Sequence, residues 1–269
     1  MKKKYIKLNQ KSPMSALQLN VFNLNAFKIG GLRLFVKVDR EPGRLRVGLV
    51  TRTGREGGGA GCRLMESLGH QVEVEVTVAD LGVGWEEFVF ANARLWSANL
   101  VRGIDGFAGA FGRPVDGSTV EPEMLASYEW GRKVSGAEFV HAVGVRNRVA
   151  RSVGAQFAAG QDVPLTPTLP EVWVALGTYG RGRRMRTGLG WLEHLFHRSP
   201  FTAAFNVAGT PAMSVPLAHA PATGMPTAVQ FAAGYGREDL LFRLAGQLER
   251  AAAWAGRRPG VWAGAARAV

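Results

Sequence analysis

His194 and His197 stand three residues apart, a spacing that would bring both imidazoles to one face of a helix and let them share a metal ion. No third His, Cys or acid follows at a matching distance, and Glu193 is the sole nearby carboxylate. The pair therefore reads as packing or surface histidines rather than metal ligands. Gly57-Gly58-Gly59-Ala60-Gly61 lies between a strand-like and a helix-like stretch, where a dinucleotide-binding loop would sit. The spacing fails, because the third glycine of that loop would fall on Cys62 or on Leu64. No Gly-Lys-Ser/Thr phosphate loop occurs either, so the run reads as a flexible loop. Residue order alone leaves a Ser–His–Asp triad open. Yet no Gly-x-Ser-x-Gly elbow exists, since Ser152 has Ala150 where the first glycine belongs. Arg181, Arg183, Arg184 and Arg186 lack interleaved aromatics and read as a solvated basic loop.

The elements that must position these residues follow from periodicity. Leu45–Thr51 is a short alternating-to-apolar run suited to a strand. Arg63–Leu68 has a helical pattern closed by Gly69, and Gln71–Val78 alternates Val72, Val74 and Val76 against Glu73 and Glu75. Strand, helix, strand opens an α/β layer. Trp85–Ile104 is apolar at helical spacing and is followed by a glycine-rich, loop-like stretch, Gly103–Gly117. Glu121–Gly131 and Ala137–Phe157 are two more helices, the second starting after Ser135 with Glu138 in its first turn. Asp162–Pro170 is a short strand stopped by Pro167 and Pro170. Ala212–Leu217 and Thr227–Phe231 are strands joined by a turn, and Glu238–Ala253 closes as an amphipathic helix.

Composition narrows the class. With 46% hydrophobic and 20% charged residues in 269, the chain can bury a real core. One cysteine, Cys62, excludes an intrachain disulfide framework, as suits a reducing cytoplasm. The net charge of +12 is concentrated at the start: residues 1–55 hold seven Lys and six Arg against Asp39 and Glu41. A phosphate-binding domain would spread its charge over a folded face, so nucleic acid is not the expected partner. No run of eighteen apolar residues spans a membrane, and the Met1–Lys4 start lacks the clean apolar core of a secretory signal. Seven of the eight lysines lie at or before Lys37, and from Arg40 onward arginine takes over. Residues 1–33 are therefore set apart as a basic segment outside the fold, too interrupted by Lys and Asn to offset its ordering entropy.

The last hundred residues carry the most specific pattern. Asp162–Pro170 contains Thr166-Pro167-Thr168. Ser199–Pro216 contains Phe205-Asn206-Val207-Ala208-Gly209-Thr210-Pro211-Ala212-Met213-Ser214-Val215-Pro216. Then comes Gly224-Met225-Pro226-Thr227-Ala228-Val229-Gln230-Phe231, and the ending runs from Leu240 through Trp254 to Pro259. Upstream, Glu41-Pro42-Gly43-Arg44-Leu45 and Leu64–His70 belong to the same scheme. These strings resemble the C-terminal half of amidase-signature enzymes, in particular the branch of the nylon-oligomer cyclic-dimer hydrolases. The resemblance runs from about Leu34 to the C-terminus, so residues 34–269 are expected to form the C-terminal portion of such a domain. The fold class it implies is α/β, a partial amidase-signature fold with a mixed β-sheet flanked by helices.

The implied chemistry is hydrolysis of a carboxamide C–N bond by a serine nucleophile, a second serine in a cis peptide and a neutral lysine, without metal or organic cofactor. A serine hydroxyl is weakly nucleophilic until a base takes its proton, and backbone N–H groups of a glycine-rich turn must hold the oxyanion. Those parts belong to a Gly-Gly-Ser-Ser-Gly-Gly-type signature, and this sequence contains no Ser-Ser pair. After Lys37, which reads as a linker residue, the only lysine is Lys133 in a helical stretch. Between Thr51 and Cys62 the glycines also replace much of a helix that the resemblance leads one to expect. No catalytic residue is therefore assigned. The chain reads as a truncated amidase-family polypeptide, inactive and poorly stable alone, or completed by a signature-bearing partner chain or a second copy. Its substrate if completed would be a small-molecule amide. Phe201, Thr202, Asn206 and Gly209 are the expected substrate-side residues, with Asn206 either facing a ligand amide or tying down its own turn. The rival reading is a non-enzymatic binding protein that uses residues 1–33 on nucleic acid or an acidic surface.

Overall fold

The computed structural model describes residues 40–49, 59–74, 81–171, 174–175, 177–178, 187–254 and 256–258. Residues 1–33, Lys37, Gly57–Gly58, Glu75–Val78 and the Arg181–Arg186 loop lie outside that range. The first elements among the described residues are β1 (Arg46–Leu49), α1 (Gly59–Ser67) and β2 (Gln71–Val74). β1 and β2 pair in parallel, Val47 opposite Val72, as a strand–helix–strand unit should. Gly69 turns the chain out of α1 at φ +85, a conformation that suits a residue without Cβ.

The glycine run differs from expectation. Gly59 and Gly61 stand in the first turn of α1, not in a loop. A Cβ on Gly61 would lie 3.4 Å from Val229 Cγ1 and 3.5 Å from Leu165 Cδ1. The bare glycine lets α1 lie close on the sheet, and burial of Cys62 and Met65 offsets its helix penalty of about 1 kcal/mol.

α2 (Trp85–Phe111) also outruns its expected end at Ile104. Gly103, Gly106 and Gly109 continue the helix, and it stops only at Gly112, left-handed at φ +61, two residues before Pro114. Tertiary contact overrides propensity here: Tyr128 Oη donates to Asp105 Oδ1 at 2.6 Å from the neighbouring α3 (Pro122–Gly131). α4 (Gly136–Ala158) begins with a reciprocal cap, Glu138 N donating to Ser135 Oγ and Ser135 N donating to Glu138 Oε2 at 2.8 Å. Arg94–Glu138 and Arg148–Glu87 ion pairs tie α4 to α2.

The remaining elements are β3 (Val163–Pro167), α5 (Gly188–Arg198), α6 (Pro200–Ala208), β4 (Ala212–His219), β5 (Pro226–Ala232) and α7 (Glu238–Ala251). The sheet runs β2-β1-β3-β5-β4, parallel from β2 to β3 and antiparallel from β3 to β4. It is a mixed sheet flanked by helices. One face carries Val47, Leu165, Met213 and Phe231 against Met65 of α1 and Leu241, Leu244 and Leu248 of α7. A second core joins α2, α4, α5 and α6 through Phe88, Val145, Val149, Phe196 and Phe205, and reaches the sheet at Ala232. The outer edge of β4 is blunted by Pro216, by a register shift between Val215 and Ala218, and by Arg257, which donates to Pro216 O at 3.1 Å. Among the described residues no helix is long and apolar enough to cross a membrane.

Candidate functional site

Side chains alternate along a strand, so the face opposite Leu165, Phe231 and Met213 carries Thr166, Gln230 and Ser214. The three are register neighbours, a polar row across β3, β5 and β4. Burying such groups costs free energy unless each finds a partner. Gln230 Nε2 donates to Thr166 Oγ1 at 3.2 Å and to Phe201 O at 3.1 Å, and Thr166 Oγ1 donates to Pro167 O at 2.9 Å. Thr168 and Ser214 hydroxyls pair at 2.7 Å. The Gln230 carboxamide thereby pins the first turn of α6 to the sheet.

Above this row lies a cleft of about 230 Å³ between α2, α5 and α6. Trp96, Leu192, Leu195 and Phe196 form its apolar wall, with Trp96 edge-on to Phe196 at 5.4 Å between centroids. Ser199, Thr202, Asn206, Thr210 and Gln230 supply the polar groups, and among the described residues no charged side chain borders it. An apolar cleft with a few convergent polar groups is the usual form of a small-molecule site.

Thr202 and Asn206 both line this cleft, Asn206 exposed at its rim. Phe201 is buried among the core residues and contributes its carbonyl to Gln230. Gly209 caps α6 at φ +73, its N–H donating to Asn206 O. Trp96, Phe196 and Gln230 were not legible as site residues. The available signal was the alternation of Gln230 with buried Val229 and Phe231, which marks a polar side chain on a covered face.

The hydroxyls near the cleft are already engaged. Ser199 Oγ donates to Leu195 O at 2.8 Å and Thr202 Oγ1 to Ser199 O at 3.1 Å. Among the described residues, neither Ser199 nor Ser214 hydrogen-bonds to a histidine, lysine or carboxylate. His197 is tied to Glu193 O through Nδ1 at 2.7 Å, while Trp85 Nε1 donates to its Nε2 at 3.4 Å. That imidazole links α5 to α2. Among the described residues no cluster of three or more His, Cys, Asp or Glu is arranged to hold a metal.

Burial, then the charges of Arg198 and His197, hold the His194 pKa below the ordinary imidazole value against an opposing pull from Glu171. His194 therefore binds its proton more weakly folded than unfolded, and the unfolded state gains as pH falls. Hydrogen bonds from the Ser135 backbone and hydroxyl likewise lower Glu138. Burial pushes Asp239 up, but Arg243 and Arg237 outweigh it and leave that carboxyl lowered. Stability should be level from about pH 6.5 to about pH 8, decline below that range through His194, and decline again below about pH 4 through the carboxylates. Urea midpoints measured across this range should show the upper step in the parent and not in His194→Gln. An upper step that survives the substitution would assign it elsewhere.

The sequence profile of the family described as Amidase matches residues 37–242. The chain is 32% identical over 240 residues to the 6-aminohexanoate-cyclic-dimer hydrolase of Paenarthrobacter ureafaciens, covering 82% of this chain and 47% of that protein. The enzyme of the same name from Pseudomonas sp. (strain NK87) matches with the same identity and coverage. The solved structure of a 6-aminohexanoate cyclic dimer hydrolase superposes with a TM-score of 0.72 at 28% identity, over 86% of this chain and 50% of the other. The chain thus spans about half the length of the curated relatives it matches.

Proposed function

The chain belongs to the amidase family, and on that premise we propose that it forms one wall of a carboxamide-hydrolysing site whose nucleophile comes from a second, signature-bearing polypeptide. The observation that carries the reading is the cleft pinned by Gln230: it offers apolar surface and neutral polar groups, while its hydroxyls are engaged with backbone carbonyls. Such a wall can bind and orient an amide. It cannot start acyl transfer, because that needs a hydroxyl beside a base. The Ser–Ser–Lys set and its oxyanion turn would face the cleft from the partner, with residues 34–269 as one structural unit and residues 1–33 apart from it.

Co-expression tests this directly. A polypeptide carrying a Gly-Gly-Ser-Ser-Gly-Gly segment and its lysine, made together with this chain, should co-purify with it and hydrolyse a small aryl amide at a rate neither achieves alone. If the two neither associate nor turn over substrate together, the reading fails.

A further inference from the structure

Beyond the cleft, α2 carries its apolar face on without a cover. Trp96, Leu100, Gly103, Ile104, Phe107 and Phe111 recur at three- and four-residue steps, so they share one side of the helix. At its start this side is held to the body, Trp96 lying edge-on to Phe196. Toward the C-terminus it is bare. Trp96 is 49%, Phe107 68% and Phe111 71% exposed, and the last two rings stack at 6.3 Å between centroids. A Cβ on Gly103 would meet nothing within 4 Å, so the row also has a notch. A contiguous row of exposed aromatics is the form of a contact surface, whereas single exposed apolar residues are ordinary.

Two observations say what covers it. The row starts at Trp96, which is also part of the cleft wall, so a chain that closes the cleft must pass over it. The row is also flanked by positive charge. Arg102 on α2 and Arg113 just past its end are exposed and form no ion pair with any described residue, while Asp105, the sole acid of that stretch, accepts from Tyr128 Oη. A second copy fits poorly for that reason. Antiparallel pairing about Phe107 sets Arg102 of each copy beside Arg113 of the other, and parallel pairing sets Arg102 against Arg102.

We propose that this row on α2 is the docking surface for the signature-bearing polypeptide, which meets it with an apolar ridge flanked by Asp or Glu. This rests on the two-chain reading above. The matched relatives carry about half of their length outside the part that this chain covers, so such a polypeptide has a counterpart within each of them. Phe107 and Phe111 supply the anchors, and Gly103 lets the ridge come close.

The probe is the part of the Paenarthrobacter ureafaciens hydrolase that this chain does not match, co-expressed with the full chain. The readout is the Kd of the purified complex, from sedimentation over a dilution series. Phe107→Ser/Phe111→Ser should raise that Kd about tenfold or more, the loss of two interface anchors. Arg102→Glu/Arg113→Glu should raise it about threefold or more and weaken its dependence on salt. Tyr235→Ser, equally exposed but off the row, should leave it within about twofold. Each variant alone should keep the parent's urea midpoint, because the replaced side chains are exposed. The charge pair tests the row even if the serine pair does not fold. A parent-like Kd in both double variants would overturn this docking surface while leaving the two-chain site standing. No association of the parent chain with the probe would overturn the two-chain reading itself. Self-association of the parent chain, abolished by the serine pair, would overturn the assigned occupant and give the row to a second copy.

Discussion

Gly188→Ala is expected to destabilise the chain by about 3 kcal/mol or more, at the upper end of what overpacking a single methyl costs. Gly188 is the first residue of α5 and is buried against α3. A Cβ there would overlap Ala126 O and would lie 2.8 Å from Ala126 C and 2.7 Å from Trp130 Cβ. Two of those three atoms are backbone, so no side-chain rotation relieves the overlap and α5 must move away from α3. Leu192 and Phe196 would move with it, and they form part of the cleft wall. Gly131→Ala is a weaker case of the same kind, its Cβ 2.6 Å from Ser97 O on α2. Gly154→Ala on α4 is the control: nothing lies within 4 Å of its Cβ, and the change should stabilise by about 0.5–1 kcal/mol. Urea midpoints decide the matter. If Gly188→Ala unfolds at the parent's midpoint, the close packing of α5 on α3 is wrong.

What the sequence made legible was whatever depends on neighbours a few residues apart. β1, α1 and β2 follow from alternation and a glycine stop, α7 from its 3.6-residue apolar stripe, and the start of α4 from Ser135 and Glu138. The misreadings share a cause. Gly103, Gly106 and Gly109 weaken a helix locally, yet α2 continues because α3 and α4 pack along it. Gly61 was taken as loop because its use, close approach to Leu165 and Val229, involves residues over a hundred positions away. α5 and α6 were not foreseen as helices. Gly188, Gly190 and Pro200 look like breakers, and α6 is buried at Phe201, Ala203, Ala204, Phe205 and Val207, which leaves no one-sided period to detect. The cleft is the extreme case. Its wall unites Trp96, Phe196 and Gln230 from three separated segments; Gln230 stood in a family motif without a site role, and Trp96 and Phe196 stood in none.

The second large effect concerns activity. The 269-residue chain alone is expected to hydrolyse no amide above the uncatalysed rate. Covalent acyl transfer begins with a hydroxyl whose proton is taken by an adjacent base. Ser199 Oγ, between α5 and α6, spends its proton on Leu195 O of α5, and Ser214 shares a hydrogen bond with Thr168. His197 is engaged at both nitrogens, and His70 accepts from Leu45 N at 3.2 Å while its Nε2 meets Gln247 Oε1 at 2.8 Å on the far side of the sheet. Cys62 is buried, and burial, with the charge of Glu66, pushes its thiol pKa up, so it is a poor nucleophile. Binding and orientation by the cleft remain, but without an activated attacking group they have no covalent step to accelerate.

Release of a chromophoric amine from an aryl amide by the purified chain, run beside Ser199→Ala and Ser214→Ala, tests the central claim most directly. A wall without its own nucleophile predicts background rates in all three proteins. Robust turnover in the parent, abolished by either substitution, would contradict it and identify a catalytic serine within this chain.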